Sequence, residues 1–116
     1  MTAGLTTHVL DTSRERPASG VGIVLQRVLD SGETEIITEA TTNDDGRVAD
    51  PLLGPEEAEA GTYQLLFEVG DYYRDGPSES SFLGTVPVRF SINDPEQHYH
   101  VPLLLSPGGY TTYRGS

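Results

Sequence analysis

The segment His98-Tyr99-His100-Val101-Pro102-Leu103-Leu104-Leu105 has the length of one β-strand, and the turn residues Ser106-Pro107 follow it. Every residue from Val101 to Leu105 is apolar, so both faces of this strand must be shielded from water. Val101, Leu103 and Leu105 share one face, and three apolar residues of the same parity suit a protein core. The opposite face carries His100, Pro102 and Leu104. In a two-sheet protein that face needs a partner subunit or a ligand as its cover, and we expect symmetric self-association.

Short strand patterns separated by turn signals fill the rest of the chain. In residues 6–11, Thr7 and Val9 alternate with His8 and Leu10, which is typical of a strand. Glycine and aspartate clusters mark the turns, and residues 14–20 and 51–60 are expected to be loops. Residues 71–81 have room for one helical turn at most. The expected strands are 6–11, 21–29, 35–42, a short strand at Arg47, 62–69, 86–92, 98–105 and 110–113. Pro87 implies either a sheet edge or a position without a paired N–H.

Eight short strands at this spacing predict an all-β fold, an antiparallel β-sandwich of two sheets with at most one short helix. The length of 116 residues predicts a single domain, residues 1–116. Acidic residues outnumber basic ones 18 to 7, which argues against nucleic acid and anionic membranes as partners. The chain has no cysteine, no apolar stretch of membrane-spanning length and no visible signal peptide, so we expect a cytoplasmic protein.

Histidines supply the candidate chemistry. His8 and His100 lie on strand faces directed away from the expected core, each next to an apolar residue of the same face. A strand histidine is often an ordinary surface group, but partial desolvation would favour a neutral imidazole that accepts a proton. His98 is a secondary candidate. His98 and His100 have a spacing seen in metal sites, yet no third ligand is suggested, so no metal or other cofactor is expected.

Hydrolysis by acid–base chemistry on water is therefore the expected reaction type, because no serine lies in a Gly-x-Ser-x-Gly motif. Arg47 follows a turn, where pairing with Asp44 or Asp45 is the simplest interpretation. The last four residues, Tyr113-Arg114-Gly115-Ser116, place a phenol, a guanidinium and a hydroxyl together. Chain ends are usually frayed and carry no chemistry, so the tail alone is weak support for a site.

Three segments together resemble the transthyretin-like 5-hydroxyisourate hydrolases. They are Leu5-Thr6-Thr7-His8-Val9-Leu10-Asp11, the segment from His98 to Pro107, and the tail from Tyr113 to Ser116. The resemblance implies the transthyretin fold, catalytic roles for His8, Arg47 and His100, and substrate-binding roles for Tyr113, Arg114 and Ser116. The division of roles between the two histidines stays open. The chain departs from the family at Gly108, usually aromatic, and at Leu83-Gly84, usually an aromatic residue and a proline.

The implied activity is hydrolysis of the cyclic amide of 5-hydroxyisourate, without metal, in a homotetramer whose sites lie between dimers. The expected product is 2-oxo-4-hydroxy-4-carboxy-5-ureidoimidazoline, formed in the course of urate degradation. Two other functions stay open on the sequence: a transthyretin-type carrier of a small aromatic ligand, and a structural β-sandwich interaction domain. A carrier has no need of two titratable bases on covered faces.

Overall fold

The strands, whose polar and apolar side chains alternate, form two β-sheets that pack face to face. The structure is a computed structural model and describes residues 4–74 and 82–115. Over these residues the elements are β1 Gly4–Asp11, β2 Arg16–Pro17, β3 Gly22–Val28, β4 Thr34–Thr41, β5 Gly61–Glu68, α1 Val69–Arg74, β6 Thr85–Ile92, β7 His98–Ser106 and β8 Gly109–Thr112. One sheet has the order β2-β1-β7-β8 and the other β4-β3-β5-β6. The predicted all-β sandwich is confirmed.

The core lies between the two sheets and is formed by alternate side chains of each central strand. Val101, Leu103 and Leu105 of β7 are buried, as the sequence predicts, and so is Val9 of β1. The facing sheet contributes alternate residues of β3 and β5, namely Ile23, Leu25, Tyr63, Leu65 and Phe67. Burial of these side chains leaves the opposite parity of β1 and β7 facing away from the core. His8 and His100 therefore lie on the outward face of this sheet, as the alternation in the sequence predicts.

Four details differ from the predicted strands. β1 and β7 pair in parallel, whereas the remaining strand pairs of the described chain are antiparallel. A parallel pair is possible because the whole second sheet separates these strands in sequence and no hairpin has to join them. Residues 16–17 form the short strand β2 instead of a loop, since the chain folds back onto Leu10 and Asp11. The strand expected at Arg47 is only a single bridge to His8.

The fourth difference concerns the helix, which begins at Val69 rather than beyond it. Asp11 explains its position, because this fully buried carboxylate at the end of β1 accepts hydrogen bonds from Tyr72 Oη at 2.8 Å and Tyr73 Oη at 3.4 Å. Burial and the Asp11 charge raise the pKa of Tyr73 to about 12. These contacts fasten α1 to β1. The remainder of the expected helical region, residues 75–81, lies outside the described residues.

The sheet edges agree with the sequence. Pro87 lies in β6, which is an outer strand of its sheet, as its missing N–H predicts. Within residues 4–74 and 82–115, no helix is long and apolar enough to cross a membrane.

Candidate active site

The parallel pairing of β1 with β7 places both candidate histidines on one surface. In this register Thr6 lies opposite His100, and His8 lies opposite Pro102. Residues paired across a sheet point to the same face. His8 and His100 are partly buried and belong to the face directed away from the core. Two imidazoles from sequence positions far apart are therefore neighbours on adjacent strands.

Arg47 joins this surface from the other side of β1. A bridge pairs Arg47 with His8, and the amide of Val9 donates to the carbonyl of Gly46 at 2.8 Å. The turn before Arg47 is closed by Asn43, whose side-chain Oδ1 accepts from the Arg47 amide at 3.2 Å. Gly46 has a φ of 75°, and a side chain there would collide with the Val9 carbonyl and approach the His8 ring. The turn can lie against β1 because this position is glycine.

The tail meets β7 beside His100. The amide of Gly115 donates to the His100 carbonyl at 2.7 Å and forms an isolated bridge with it. A Cβ on Gly115 would lie 2.8 Å from His100 Cδ2, closer than such atoms normally approach. The backbone of the tail therefore packs against the imidazole, and the glycine of Tyr-Arg-Gly-Ser is required by this close contact.

The electrostatic environment favours neutral imidazoles. Burial lowers the pKa of His8, and the Arg47 charge lowers it further, against a smaller opposing effect of Asp45. Burial likewise lowers the pKa of His100, followed by the charges of Arg47, His8 and His98. At neutral pH both histidines are therefore unprotonated and able to accept a proton. Arg47 does not form an ion pair with Asp44 or Asp45 in the described part of the chain.

Thr6 is a site residue that the sequence analysis did not single out. Its Oγ1 lies 2.8 Å from His100 Nδ1 and 3.1 Å from His98 Nε2. The sequence could have indicated Thr6, because it lies two residues before His8 on the same strand and alternate residues of a strand share a face. Only the register with β7 brings the hydroxyl between the two imidazoles.

The other predicted site residues lie elsewhere. The Arg114 guanidinium is 4.2 Å from the ring centroid of Tyr99 and donates to Gln97 Oε1 and the His98 carbonyl. Tyr113 and Arg114 line a cleft of about 310 Å³ between β6 and β7, and Tyr113 is 54% exposed. Their role in binding substrate stays a prediction. Ser116 lies outside the described residues.

A neutral imidazole pair near an arginine side chain can remove a proton from water and stabilise a developing negative charge. No group of three or more potential metal-ligating side chains is found within the part of the chain that the structure describes. The residues brought together are thus suited to acid–base and electrostatic chemistry.

Comparisons with known proteins agree over almost the whole chain. The chain is 51% identical to a 5-hydroxyisourate hydrolase of Halalkalibacterium halodurans, with full coverage of both proteins. The structure of a Klebsiella pneumoniae 5-hydroxyisourate hydrolase is 35% identical, with a TM-score of 0.82, and the match covers 98% of this chain and 94% of that one. An (S)-allantoin synthase structure is 42% identical with a TM-score of 0.88; the match covers 99% of this chain but only 44% of that longer one. Residues 5–115 match the HIUase/Transthyretin family, and the chain belongs to that family.

Proposed function

We propose that this chain is a 5-hydroxyisourate hydrolase, which opens the cyclic amide of 5-hydroxyisourate with water. Relatives named for this activity match 97–100% of the chain at 48–51% identity. The observation that carries the proposal is the grouping of His8, Arg47 and His100 on one sheet face, with the pKa of both imidazoles lowered.

Each group has a place in the reaction. His100 takes a proton from water as the water oxygen attacks the amide carbonyl carbon. Arg47 stabilises the negative charge that develops on the carbonyl oxygen. The ring C–N bond then breaks, and the leaving nitrogen receives a proton from the histidine pair, with His8 acting as partner or acid. One water is added in total, and the ring-opened product is 2-oxo-4-hydroxy-4-carboxy-5-ureidoimidazoline.

The tail completes the site in this proposal. Tyr113, Arg114 and Ser116 are assigned to substrate binding, supported by the packing of Gly115 against His100. In the structure Arg114 contacts Tyr99 and Gln97, so its assignment to substrate binding rests on the resemblance of the tail to the family. No metal or other cofactor takes part in the proposed reaction, and we assign the protein to the cytoplasm.

A homotetramer is the proposed assembly, with the sites between dimers. Leu10 lies opposite Leu104 on the face that also carries the histidines, and Pro102 lies opposite His8. Apolar side chains on this face favour a partner subunit as cover. Cover by a second subunit would also exclude water from the imidazoles, which strengthens the electrostatic interactions within the site.

A small-ligand carrier of the transthyretin type is the second candidate, because the family to which the chain belongs includes transthyretin. The two candidates differ in what they require of His8 and His100. Ligand binding by a carrier does not depend on whether His8 and His100 can accept a proton, whereas hydrolysis does.

The deciding experiment is an ultraviolet assay in which urate oxidase generates 5-hydroxyisourate from urate. We expect added protein to accelerate the decay of this intermediate. His100→Asn and His8→Asn should each keep the fold and lose most turnover, about a hundred- to ten-thousand-fold, because general acid–base catalysis is removed. Unchanged decay with the wild-type protein would refute the hydrolase, and wild-type rates in both variants would remove the histidines from the mechanism.

A further inference from the structure

The hydroxyl of Thr6 is placed between two imidazoles. It lies 2.8 Å from Nδ1 of His100 and 3.1 Å from Nε2 of His98. Within residues 4–74 and 82–115, these ring nitrogens are its only side-chain partners, and Nε2 of His100 has no hydrogen-bond partner. All three groups lie on the same face of the sheet, held by the in-register pairing of β1 and β7.

The number of protons restricts how these bonds are arranged. A threonine hydroxyl has one proton to donate and two lone pairs to accept with, and a neutral imidazole has one N–H and one acceptor nitrogen. The single Thr6 proton can point to only one of the two rings. The other ring must then donate its own N–H to Thr6 Oγ1 for both bonds to exist. The direction of this chain of bonds therefore sets the tautomer of both histidines.

The two directions have opposite consequences for His100. When Thr6 donates to His100 Nδ1, the proton of the neutral ring lies on Nε2, and that nitrogen cannot accept another. When His100 Nδ1–H donates to Thr6, Nε2 keeps a free lone pair. Protonation of Nε2 during a reaction then leaves the bond to Thr6 intact, because Nδ1 carries its proton in both states. Only this second direction suits a ring that gains and loses a proton repeatedly.

We propose that Thr6 and His98 are positioning residues that hold His100 as the Nδ1–H tautomer and so make Nε2 the base atom. Thr6 Oγ1 accepts from His100 Nδ1 and donates to His98 Nε2. His98 thereby acts as the terminal acceptor of the chain rather than as a second base. This assignment rests on the proposed function for the use of Nε2, but the tautomer itself is a property of the free protein.

The tautomer can be measured without substrate, by the ¹⁵N chemical shifts of the histidine rings at a pH where His100 is neutral. In the wild-type protein we expect the Nδ1–H form of His100 and a proton on Nδ1 of His98. Thr6→Val removes the hydroxyl at similar volume and should shift His100 toward the Nε2–H form that histidine prefers in water. Thr6→Ser keeps the hydroxyl and should preserve the wild-type tautomer.

Activity supplies the second readout. Hydrogen bonds that orient metal-binding histidines are worth about 10- to 100-fold in activity, and we expect a similar loss of kcat for Thr6→Val, whereas Thr6→Ser should retain most of it. Thr7→Val is the matched control, because Thr7 is the next residue of β1 and its buried hydroxyl donates to the Val101 carbonyl at 2.7 Å on the opposite face. That variant should lose stability but keep the His100 tautomer.

An Nε2–H form of His100 in the wild-type protein would overturn the assignment without the use of any variant. An unchanged tautomer in folded Thr6→Val would do the same. If the tautomers behave as expected and the wild-type protein does not hydrolyse 5-hydroxyisourate, the proposed function fails and the positioning assignment stands. If the protein is active but Thr6→Val keeps both tautomer and kcat, the positioning assignment alone fails.

Discussion

At the scale of single residues, the arginine side chain of Arg47 lies near two histidines, His8 and His100, whose positive charge depends on pH. The positive charge of Arg47 disfavours protonation of both His8 and His100 and so lowers the pKa of each ring. Burial acts in the same direction and is the larger cause for each ring. The imidazoles are consequently kept in the form that accepts a proton, while the guanidinium stays available for an anion.

This arrangement predicts the pH dependence of both rate and stability. Because the pKa of each histidine in the folded protein lies below the ordinary histidine value of 6.5, activity should persist through that pH and fall only on further acidification. The unfolded chain takes up protons first, so the free energy of unfolding should also decrease as pH falls from about 6.5 toward the folded-state values. NMR titration of the two rings measures their pKa values, kcat/KM against pH measures the rate, and urea unfolding at several pH values measures the stability.

Arg47→Gln provides the comparison, because it removes the second-largest cause of both shifts and keeps a polar side chain. The NMR midpoints of His8 and His100 should rise toward 6.5 in this variant, while burial holds them below it. Midpoints above 6.5 in the wild-type protein would contradict the predicted environment.

At the scale of elements, two short segments without regular structure complete the site. The turn at residues 43–46 presents Arg47 to β1, and the tail lies along β7 at His100. Both approaches depend on a glycine at the point of closest contact, Gly46 against the Val9 carbonyl and Gly115 against the His100 ring. The turn before Arg47 and the tail can therefore approach the sheet this closely only because Gly46 and Gly115 have no side chain.

Gly115→Ala tests the contact of the tail. The added methyl group would lie 2.8 Å from His100 Cδ2, so either the ring or the tail must move. Small misplacements of reacting groups cost on the order of a hundredfold, and we expect activity to fall by about that factor at unchanged melting temperature. Turnover in the urate oxidase assay and thermal unfolding measure the two.

Gly108→Ala is the matched control from the same end of the chain, because a Cβ at Gly108 meets no atom within 4 Å. It should behave as wild type, although Gly108 stands where the family usually has an aromatic residue. Equal activity of the two alanine variants would mean that the tail does not pack on His100 in the working enzyme.

At the scale of the whole molecule, the outward face of the histidine sheet combines apolar residues with the proposed active site. Leu10, Pro102 and Leu104 surround the histidines along β1 and β7. The chain as a whole has a net charge of -11. An apolar face with a local arginine is consistent with the proposed subunit interface and with binding of an electron-rich substrate there.

Leu104→Arg should therefore dissociate the assembly and abolish activity, because the substitution buries an unpaired charge in the proposed interface. Analytical ultracentrifugation combined with the assay measures both effects. Ile36→Arg is the control, since Ile36 is 62% exposed on β4, in the other sheet, and should leave the assembly intact. A fully active monomer of the Leu104→Arg or the Ile36→Arg variant would contradict a site formed between subunits.

Some features of this protein could be predicted from the sequence because they depend on local periodicity. Alternation in β1 and β7 determined which side chains enter the core, and therefore that His8 and His100 face outward. The proline in β6 indicated an edge strand for a similarly local reason, its missing N–H. The roles expected for His8, Arg47, His100 and the tail came from motifs, and the motifs carry no distances.

The tertiary structure alone decided which strands are neighbours. Thr6 and His100 are 94 positions apart, and only the parallel register of β1 with β7 brings them to 2.8 Å. The same long-range pairing placed Arg47 beside His8 and directed Arg114 toward Tyr99. Side-chain alternation in one strand contains no information about the partner strand, because pairing is selected by packing of the whole core. The faces of the strands were therefore determined by the sequence, and the contacts between them by the fold.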